Sequence, residues 1–472
     1  MLLLITILFP LVSGIFVSVI SLPWKRRRRC YASVLALTDA LGIAAVFCGG
    51  SVSLFPLTDS FALAFAVDSL SRFFLLLAIL VYTAAGVYAL GYLEEDERSP
   101  VFFLFWFVSF GAILSACMAA NLVSLYFCFE LSTLTSMPLV LHDRTKDAVA
   151  AAQKYLFYSI GGALLGLFAL LVLSRFGAGG FTYGGTLDAA AAAGHETLLC
   201  TAVFLGIVGF GAKAGMYPLH GWLPVAHPVA PAPASALLSG LIAKAGILAV
   251  IRLVYYTAGP ELLRGSWVQT AWMSLAAATV FMGSMMAWHE HILKKRLAYS
   301  TVSQLSYIML SLSLLCDGGL KGALLHAAQH ACAKSVLFLC AGVFLHLLGT
   351  GAVDSLRGTG RRIPFVLWCF TFASLSLVGI PPFGGFASKC QIAMTALRTA
   401  PGVFSFLAPA VLLLSALLTA GYLLPVVVDG FFPVRGGAEE EKPESLSPLL
   451  LAPMAVLCCG TLLVGLFGGG LM

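Results

Sequence analysis

The sequence predicts an all-α integral membrane protein of about fourteen transmembrane helices, because apolar runs of roughly 18 to 25 residues recur from one end to the other. Two further observations agree. Of the 472 residues 60% are hydrophobic and 10% charged, with mean hydropathy +0.98, and a water-soluble domain of this size cannot hide that much apolar surface. The 27 lysines and arginines are dispersed in short segments between the runs rather than gathered on one face, which argues against nucleic acid as a partner and reads as a topology signal in a lipid bilayer.

The first span, 2–22, has no basic region before it and no small-residue cleavage site after it, so it reads as a retained helix rather than a signal peptide. Spans follow at 31–50, 69–92, 101–118, 120–141, 153–175 and 198–224, then at 232–257, 269–289, 298–316, 322–348, 363–398, 404–430 and 448–470. Two of them are interrupted. Tyr217 to Pro224 contains Pro218 and Pro224, and Gly379 to Gly385 contains Pro381 and Pro382. Proline removes a backbone donor and blocks the preceding turn, so the seventh and twelfth helices are expected to be broken, with freed carbonyls facing protein or a water-filled cavity. The breaks lie about five helices apart, and an odd repeat length inverts the second copy. The expected organisation is a single polytopic domain, 1–472. It comprises an N-terminal three-helix segment (1–100), two inverted five-helix repeats (101–257 and 269–430) and a C-terminal helix (448–470), two unrelated kinks being the alternative.

Placing both termini outside puts Lys25 to Arg29, Arg98, Arg144, Lys146, Lys294 to Arg296, Arg357, Arg361, Arg362, Arg435 and Lys442 in inner loops. The outer side keeps Arg72, Arg175, Arg264, Lys321 and Arg398, an asymmetry that favours this orientation in the plasma membrane of a prokaryote. The loop 436–447, with Glu439, Glu440 and Glu441, is then cytoplasmic. The 12 cysteines lie mostly within apolar runs and form no CxxC pair, and Cys458 and Cys459, adjacent on one helix, point in different directions. No metal, iron–sulfur cluster or haem is therefore expected, and without a GxGxxG after a strand no nucleotide cofactor either.

Six basic residues fall inside the spans, Lys154, Lys213, Lys244, Arg252, Lys334 and Lys389, and Glu130 reads as the one deep acid. A charge at the bilayer centre costs roughly 3 kcal/mol on insertion scales, so such groups line cavities or pair. The deep lysines cannot all pair with Glu130. An amine in a low-dielectric interior exchanges its proton more readily than one in water, which is the chemistry of a relay. Glu130 and Lys213 form a candidate switchable pair, a purely structural ion pair being the alternative. His326, His330 and Lys334 follow an i, i+4 series and share one helix face, and imidazoles there suit proton conduction. Zinc is disfavoured for want of a third ligand nearby, while plain interhelical hydrogen bonding stays open. His220 and His227 flank the first break, either bonding freed carbonyls or marking a cytoplasmic access point. Lys154 and Arg252, near helix ends, are expected to snorkel to water, and Asp68 to be peripheral.

The segment Gly211-Ala-Lys213-Ala-Gly-Met-Tyr-Pro-Leu-His220-Gly-Trp-Leu-Pro224, then His227 and Pro233-Ala-Ser-Ala-Leu-Leu-Ser-Gly-Leu-Ile-Ala-Lys244, resembles the antiporter-like subunits of respiratory complex I. The resemblance continues through Lys295-Arg-Leu-Ala-Tyr-Ser, the His326/His330/Lys334 helix and Gly379-Ile-Pro-Pro-Phe-Gly-Gly-Phe-Ala-Ser-Lys389, and so covers nearly the whole chain. The same superfamily holds the large subunits of Mrp sodium/proton antiporters and of membrane-bound hydrogenases. It implies a hydrated axis of charged residues halfway across the membrane. Glu130 and Lys213 would be its modulating pair and Lys244 would pass the proton on. His326, His330 and Lys334 would bridge the halves, and Lys389 would control exit. Some relatives carry glutamate at the position of Lys389. With little sequence after the last span, the chain is most similar to the shorter, D-type Mrp subunit or its complex I counterparts.

The function this predicts is a proton-translocating subunit of a redox-driven pump, with other membrane subunits and peripheral iron–sulfur subunits as partners and no redox centre of its own. An Mrp-type antiporter subunit moving protons and Na+ without redox chemistry is the alternative. A structural subunit without conduction fits poorly with so many buried amines.

Overall fold

A bilayer offers the backbone no hydrogen-bond partners, so apolar runs of this length satisfy their amides internally as helices. The computed structural model describes every residue except 59–60, 178, 433–443 and 469–472. Arg435, Glu439, Glu440, Glu441 and Lys442, assigned above to an inner loop, lie outside the described residues. The long helices are α1 (Leu2–Val19), α2 (Trp24–Cys48), α3 (Ser69–Tyr92), α4 (Ser99–Met118), α5 (Leu122–Val140), α6 (Lys146–Ser174) and α7 (Glu196–Lys213). They continue with the short α8 (Leu223–Val229), then α9 (Ala232–Ala258), α10 (Trp267–His289), α11 (Leu293–Leu312), α12 (Asp317–Leu348), α13 (Pro364–Val378), α14 (Gly384–Thr399), α15 (Phe404–Phe431) and α16 (Pro448–Phe467). Twelve of the described helices are long and apolar enough to cross a membrane. The tenth expected span, α11, is long enough but opens on Lys294, Lys295 and Arg296, and the twelfth is divided between α13 and α14.

Both expected breaks are present. Helix α7 stops at Lys213 and helical structure resumes only at Leu223, while α13 stops at Val378 and α14 starts at Gly384. Several boundaries move, for local reasons. Helix α2 begins at Trp24, so Lys25 to Arg29 form its first turns instead of a loop. Helix α11 begins at Leu293, which takes Lys294 and Arg296 out of the loop assigned to them and buries both, 6% and 8% exposed. Side chains close several helix starts, Asn121 accepting from the Ser124 N–H and Thr145 from the Ala148 N–H among them.

A β-hairpin unforeseen in the sequence joins α2 to α3, β1 (Ser51–Thr58) pairing antiparallel with β2 (Phe61–Ala66). It is fixed to the α4–α5 turn by the Ala120 N–H to the Ala64 carbonyl (3.0 Å) and by Asn121 Nδ2 to the Ala62 carbonyl (2.9 Å). Helix α9 holds two π-helical stretches, Leu238–Ile242 and Val254–Ala258, the first ending two residues before Lys244. Such widened turns recur at functional sites.

The chain divides into two compact units. One comprises Met1–Gly86, Leu93–Trp222 and Leu241–Trp272, and the other Val87–Tyr92, Leu223–Gly240 and Met273–Met472. The core of the first is aromatic around Tyr82, which lies parallel to Phe110 at 4.2 Å and donates to Ser109. In the second, Ser284, Ser303 and Ser415 link hydroxyls across α10, α11 and α15, satisfying polar groups where lipid cannot.

Candidate functional site

In the first unit the last residue of α7, Lys213, is fully buried. Its amine donates to the Phe129 carbonyl at 3.1 Å, to Ser132 Oγ at 2.6 Å and to Thr133 Oγ1 at 2.8 Å, all on α5. It also lies 4.2 Å from the centre of the Phe129 ring. The ammonium is thus held by neutral oxygens and a π-face, a geometry that solvates a cation without fixing it in an ion pair. Glu130, next on the same helix, is half-buried and within electrostatic influence of Lys213, but its Oε1 is buried without a hydrogen-bond partner. That carboxylate borders an apolar cavity of about 740 Å³ lined by Leu4 and Leu8 of α1, Leu54 and Phe65 of the hairpin, and Leu131. The two groups expected to pair therefore stand side by side with no closed ion pair between them.

Lys244 is fully buried on α9. Two residues later Gly246 lets α9 touch α7, since a Cβ there would lie 2.5 Å from the Phe210 carbonyl and 3.3 Å from Lys213 Cβ. Lys154 and His220 meet at the first break. A Cβ on Gly221 would fall 3.6 Å from Lys154 Cε, and the His220 ring stacks on Tyr217 with its Nδ1 unpartnered. Pro218 lies in the turn that separates α7 from α8, and Pro224 in the first turn of α8.

Arg252 departs from expectation. It does not snorkel. Only 2% exposed, it is clamped on Asp68 by two hydrogen bonds of 2.5 and 2.8 Å, bonded to Ser71 at 2.9 Å, and packed on the rings of Phe181 and Tyr256. Burial alone raises the Asp68 carboxyl, but the hydrogen bonds and charge of Arg252, with the Ser71 N–H and hydroxyl, outweigh it and hold Asp68 below its ordinary value of 3.8.

In the second unit α12 carries His326, His330 and Lys334, all fully buried, with the two imidazoles 6.1 Å apart. His326 Nδ1 lies 3.0 Å from Ser388 Oγ on α14 and 3.3 Å from Gln329 Nε2, and Gln329 Oε1 accepts from Ser376 on α13. Lys334 donates to the Leu297 carbonyl at 3.0 Å. Lys389 donates to the Leu377 and Val378 carbonyls at 2.5 and 2.9 Å, the orphan carbonyls at the end of α13. The break that holds Pro381 and Pro382 is what brings those carbonyls to the amine. His326 and Lys389 are both near the Tyr307 ring, at 5.2 Å each.

His227, in α8, is fully buried, stacks on Phe338 at 4.4 Å, and has neither ring nitrogen hydrogen-bonded. Next to it a cavity of about 170 Å³ is lined by Pro228, Lys294, Phe344, Thr350 and Ala352, a volume ample for water. Lys294 donates to the Ala230 carbonyl at 2.8 Å. Lys294 was missed because it begins a Lys-Lys-Arg run that reads as loop. Asp39, two-thirds of the way along α2, was missed too, although a lone carboxylate in the run 31–50 was signal enough. Among the described residues no group of three or more His, Cys, Asp or Glu is placed to hold a metal ion.

Comparison with known proteins adds the following. Residues 119–417 match the sequence model of the family described as NADH:quinone oxidoreductase/Mrp antiporter, transmembrane region, and residues 56–103 that of NADH-ubiquinone oxidoreductase (complex I), chain 5 N-terminus. The chain is 32% identical to NADH-quinone oxidoreductase subunit N of Desulforudis audaxviator over 83% of its own length and 78% of that protein. It is 33% identical to hydrogenase-4 component B of Escherichia coli over 68% of its length, spanning about half (49%) of that longer protein. Its fold superposes on a chain of the Mrp complex from Dietzia sp. with a TM-score of 0.83, covering 98% of this chain and 94% of the other at 22% identity.

Proposed function

The chain belongs to the NADH:quinone oxidoreductase/Mrp antiporter transmembrane family, and from that premise we propose that it is a proton-translocating subunit of a multi-subunit, redox-driven ion pump. It is a multi-pass membrane protein; the plasma membrane, both termini outside, and inverted repeats over 101–257 and 269–430 belong to the same proposal. The observation that carries it is the chemistry around Lys213 and Lys389. Lys213 is fully buried and Lys389 partly so, each amine rests on carbonyl, hydroxyl or π-face partners, and among the described residues neither is ion-paired to a carboxylate. Partners of that kind accept the ammonium's hydrogen bonds yet let the proton leave without stranding a bare counter-charge.

In this reading Glu130 modulates Lys213, and Lys244 receives the proton. His326, His330 and Lys334 conduct it onward, and Lys389 releases it. His220 and His227, at the broken helix, give access from the cytoplasm. Redox chemistry resides in partner subunits, iron–sulfur proteins among them. The alternative, an Mrp-type subunit exchanging Na+ for protons, draws on the fold likeness to the Mrp chain and uses the same residues.

The test is affinity purification of the tagged chain in mild detergent with mass spectrometry of what accompanies it, followed by proton-pumping assays in vesicles. Redox subunits and loss of pumping in Lys213→Ala are the expected results. Small membrane subunits alone would select the antiporter, and full pumping by Lys213→Ala would sink the relay in either form.

A further inference from the structure

The relay leaves one membrane-embedded acid unused. Asp39 lies two-thirds of the way along α2, eight or more residues from either end, and is only partly buried. Its described partner is a single hydroxyl, Thr83 Oγ1 on α3, 2.7 Å from both carboxylate oxygens. One hydroxyl supplies one proton, whereas an ionised carboxylate presents about four acceptor sites. Neither Asp39 nor Thr83 is fully buried, so the pair lies at the edge of the exposed side of α2, where Leu37, Ile43 and Phe47 are 53%, 42% and 80% exposed. Against hydrocarbon that face is chemically inconsistent, because intramembrane acids otherwise face the bundle interior or a cavity and find a partner there.

We propose that the face of α2 around Asp39 docks a transmembrane helix of another subunit, whose lysine or arginine at the same depth completes the Asp39 carboxylate. Charge complementarity selects that occupant over a lipid chain, which brings no donor to mid-depth. Steric room agrees, since Ala36 and Ala40 beside Asp39 are exposed and let a second backbone come close. The Thr83 hydroxyl then acts as a positioning group, holding the carboxylate against α3 at the edge of that face. Thr38, the preceding residue, is turned inward and donates to the Val34 carbonyl, so it does not compete for the carboxylate.

The inference rests on the multi-subunit reading above, and its test separates the two. A photo-crosslinking residue replaces Ala40 in the otherwise unchanged chain, the native membranes are irradiated, and the adduct is mapped by mass spectrometry. A covalent adduct to a transmembrane segment of another subunit bearing Lys or Arg is expected. Adducts to lipid alone, or to a second copy of this chain, overturn the proposal even when partner subunits co-purify. Absence of any co-purifying subunit defeats the broader reading instead. Independently, Asp39→Asn should reduce recovery of the crosslinked subunit about tenfold while leaving this chain inserted and Lys213-dependent geometry untouched. Exchanging charges, Asp39→Lys here with the partner's cation changed to Asp, should restore recovery, and undiminished recovery with Asp39→Asn alone overturns the proposal.

Discussion

At the scale of single residues, what sets Lys213 apart is the identity of its acceptors. Ser132 and Thr133 each spend their own hydroxyl proton on the Phe129 carbonyl, which leaves their oxygen lone pairs to the lysine amine. Removing both hydroxyls, Ser132→Ala with Thr133→Val, takes away two of three hydrogen bonds to the ammonium, each worth about 1.5 kcal/mol or more when one partner is charged. Proton pumping in vesicles is expected to fall by about tenfold or more with the chain still assembled, because a less well solvated ammonium is harder to load. Normal rates would mean that the hydroxyls only pack. Arg252 yields the opposite kind of prediction. Arg252→Ala leaves Asp68 without its cation in a pair that is buried on the arginine side and 40% exposed on the aspartate side, so a loss of about 2 kcal/mol, below the range for fully buried pairs, is expected as a lower thermal midpoint in detergent. The pH dependence has a definite sign. The folded Asp68 carboxyl lies below its ordinary 3.8, so its contribution is complete above that value and is lost as pH falls through the lower, folded one. The midpoint gap between wild type and Asp68→Asn should thus be flat from about pH 5 to 8 and close only in stronger acid.

At the scale of elements, proline chemistry made the two broken helices legible from sequence, and the amines that use them were legible for the same reason. Lys389 cannot reach the Leu377 and Val378 carbonyls unless α13 ends there, and Gly379 to Gly385 enforces the ending. Gly385 is the tightest point, since a Cβ on it would sit 1.6 Å from the Ser376 carbonyl. Gly385→Ala should therefore separate α13 from α14, cost about 1–3 kcal/mol as an overpacking change, and uncouple Lys389 from its carbonyls. Loss of thermal stability together with loss of pumping is the expected signature. What sequence did not reveal follows from signals that are weak or shared. Residues 51–66 are too short and too apolar to declare a hairpin beside real spans. The π-turns of α9 have no compositional mark at all. Lys294 and Arg296 look like loop cations because burial of a cation on carbonyls, of Ala230 for one and Tyr422 for the other, is decided by tertiary packing. Arg252 was placed by its distance from a helix end, and that measure cannot see Asp68 arriving from a segment 184 residues earlier.

At the scale of the whole molecule, the ionisable groups fall into two sets by unit. Glu130, Lys213 and Lys244 belong to the first, and His227, Lys294, His326, His330, Lys334 and Lys389 to the second. Two sets of amines are compatible with two arrangements of function, in series along one path or in parallel as separate paths, and kinetics distinguishes them. Groups acting in series are non-additive, because once one step is blocked, a second block has nothing left to slow. Parallel paths lose throughput independently, and each single variant then keeps about half. The roles proposed here are sequential, from Lys213 through Lys244 to the histidines and Lys389. Lys213→Ala and Lys389→Ala should accordingly each reduce pumping by about tenfold or more, and the double variant should be no slower than the slower single. The measurement is the initial rate of vesicle acidification at matched protein content, with electron transfer recorded in the same sample where a redox partner is present. Two half-active single variants and an inactive double variant would assign each unit its own proton path and retire the sequential relay.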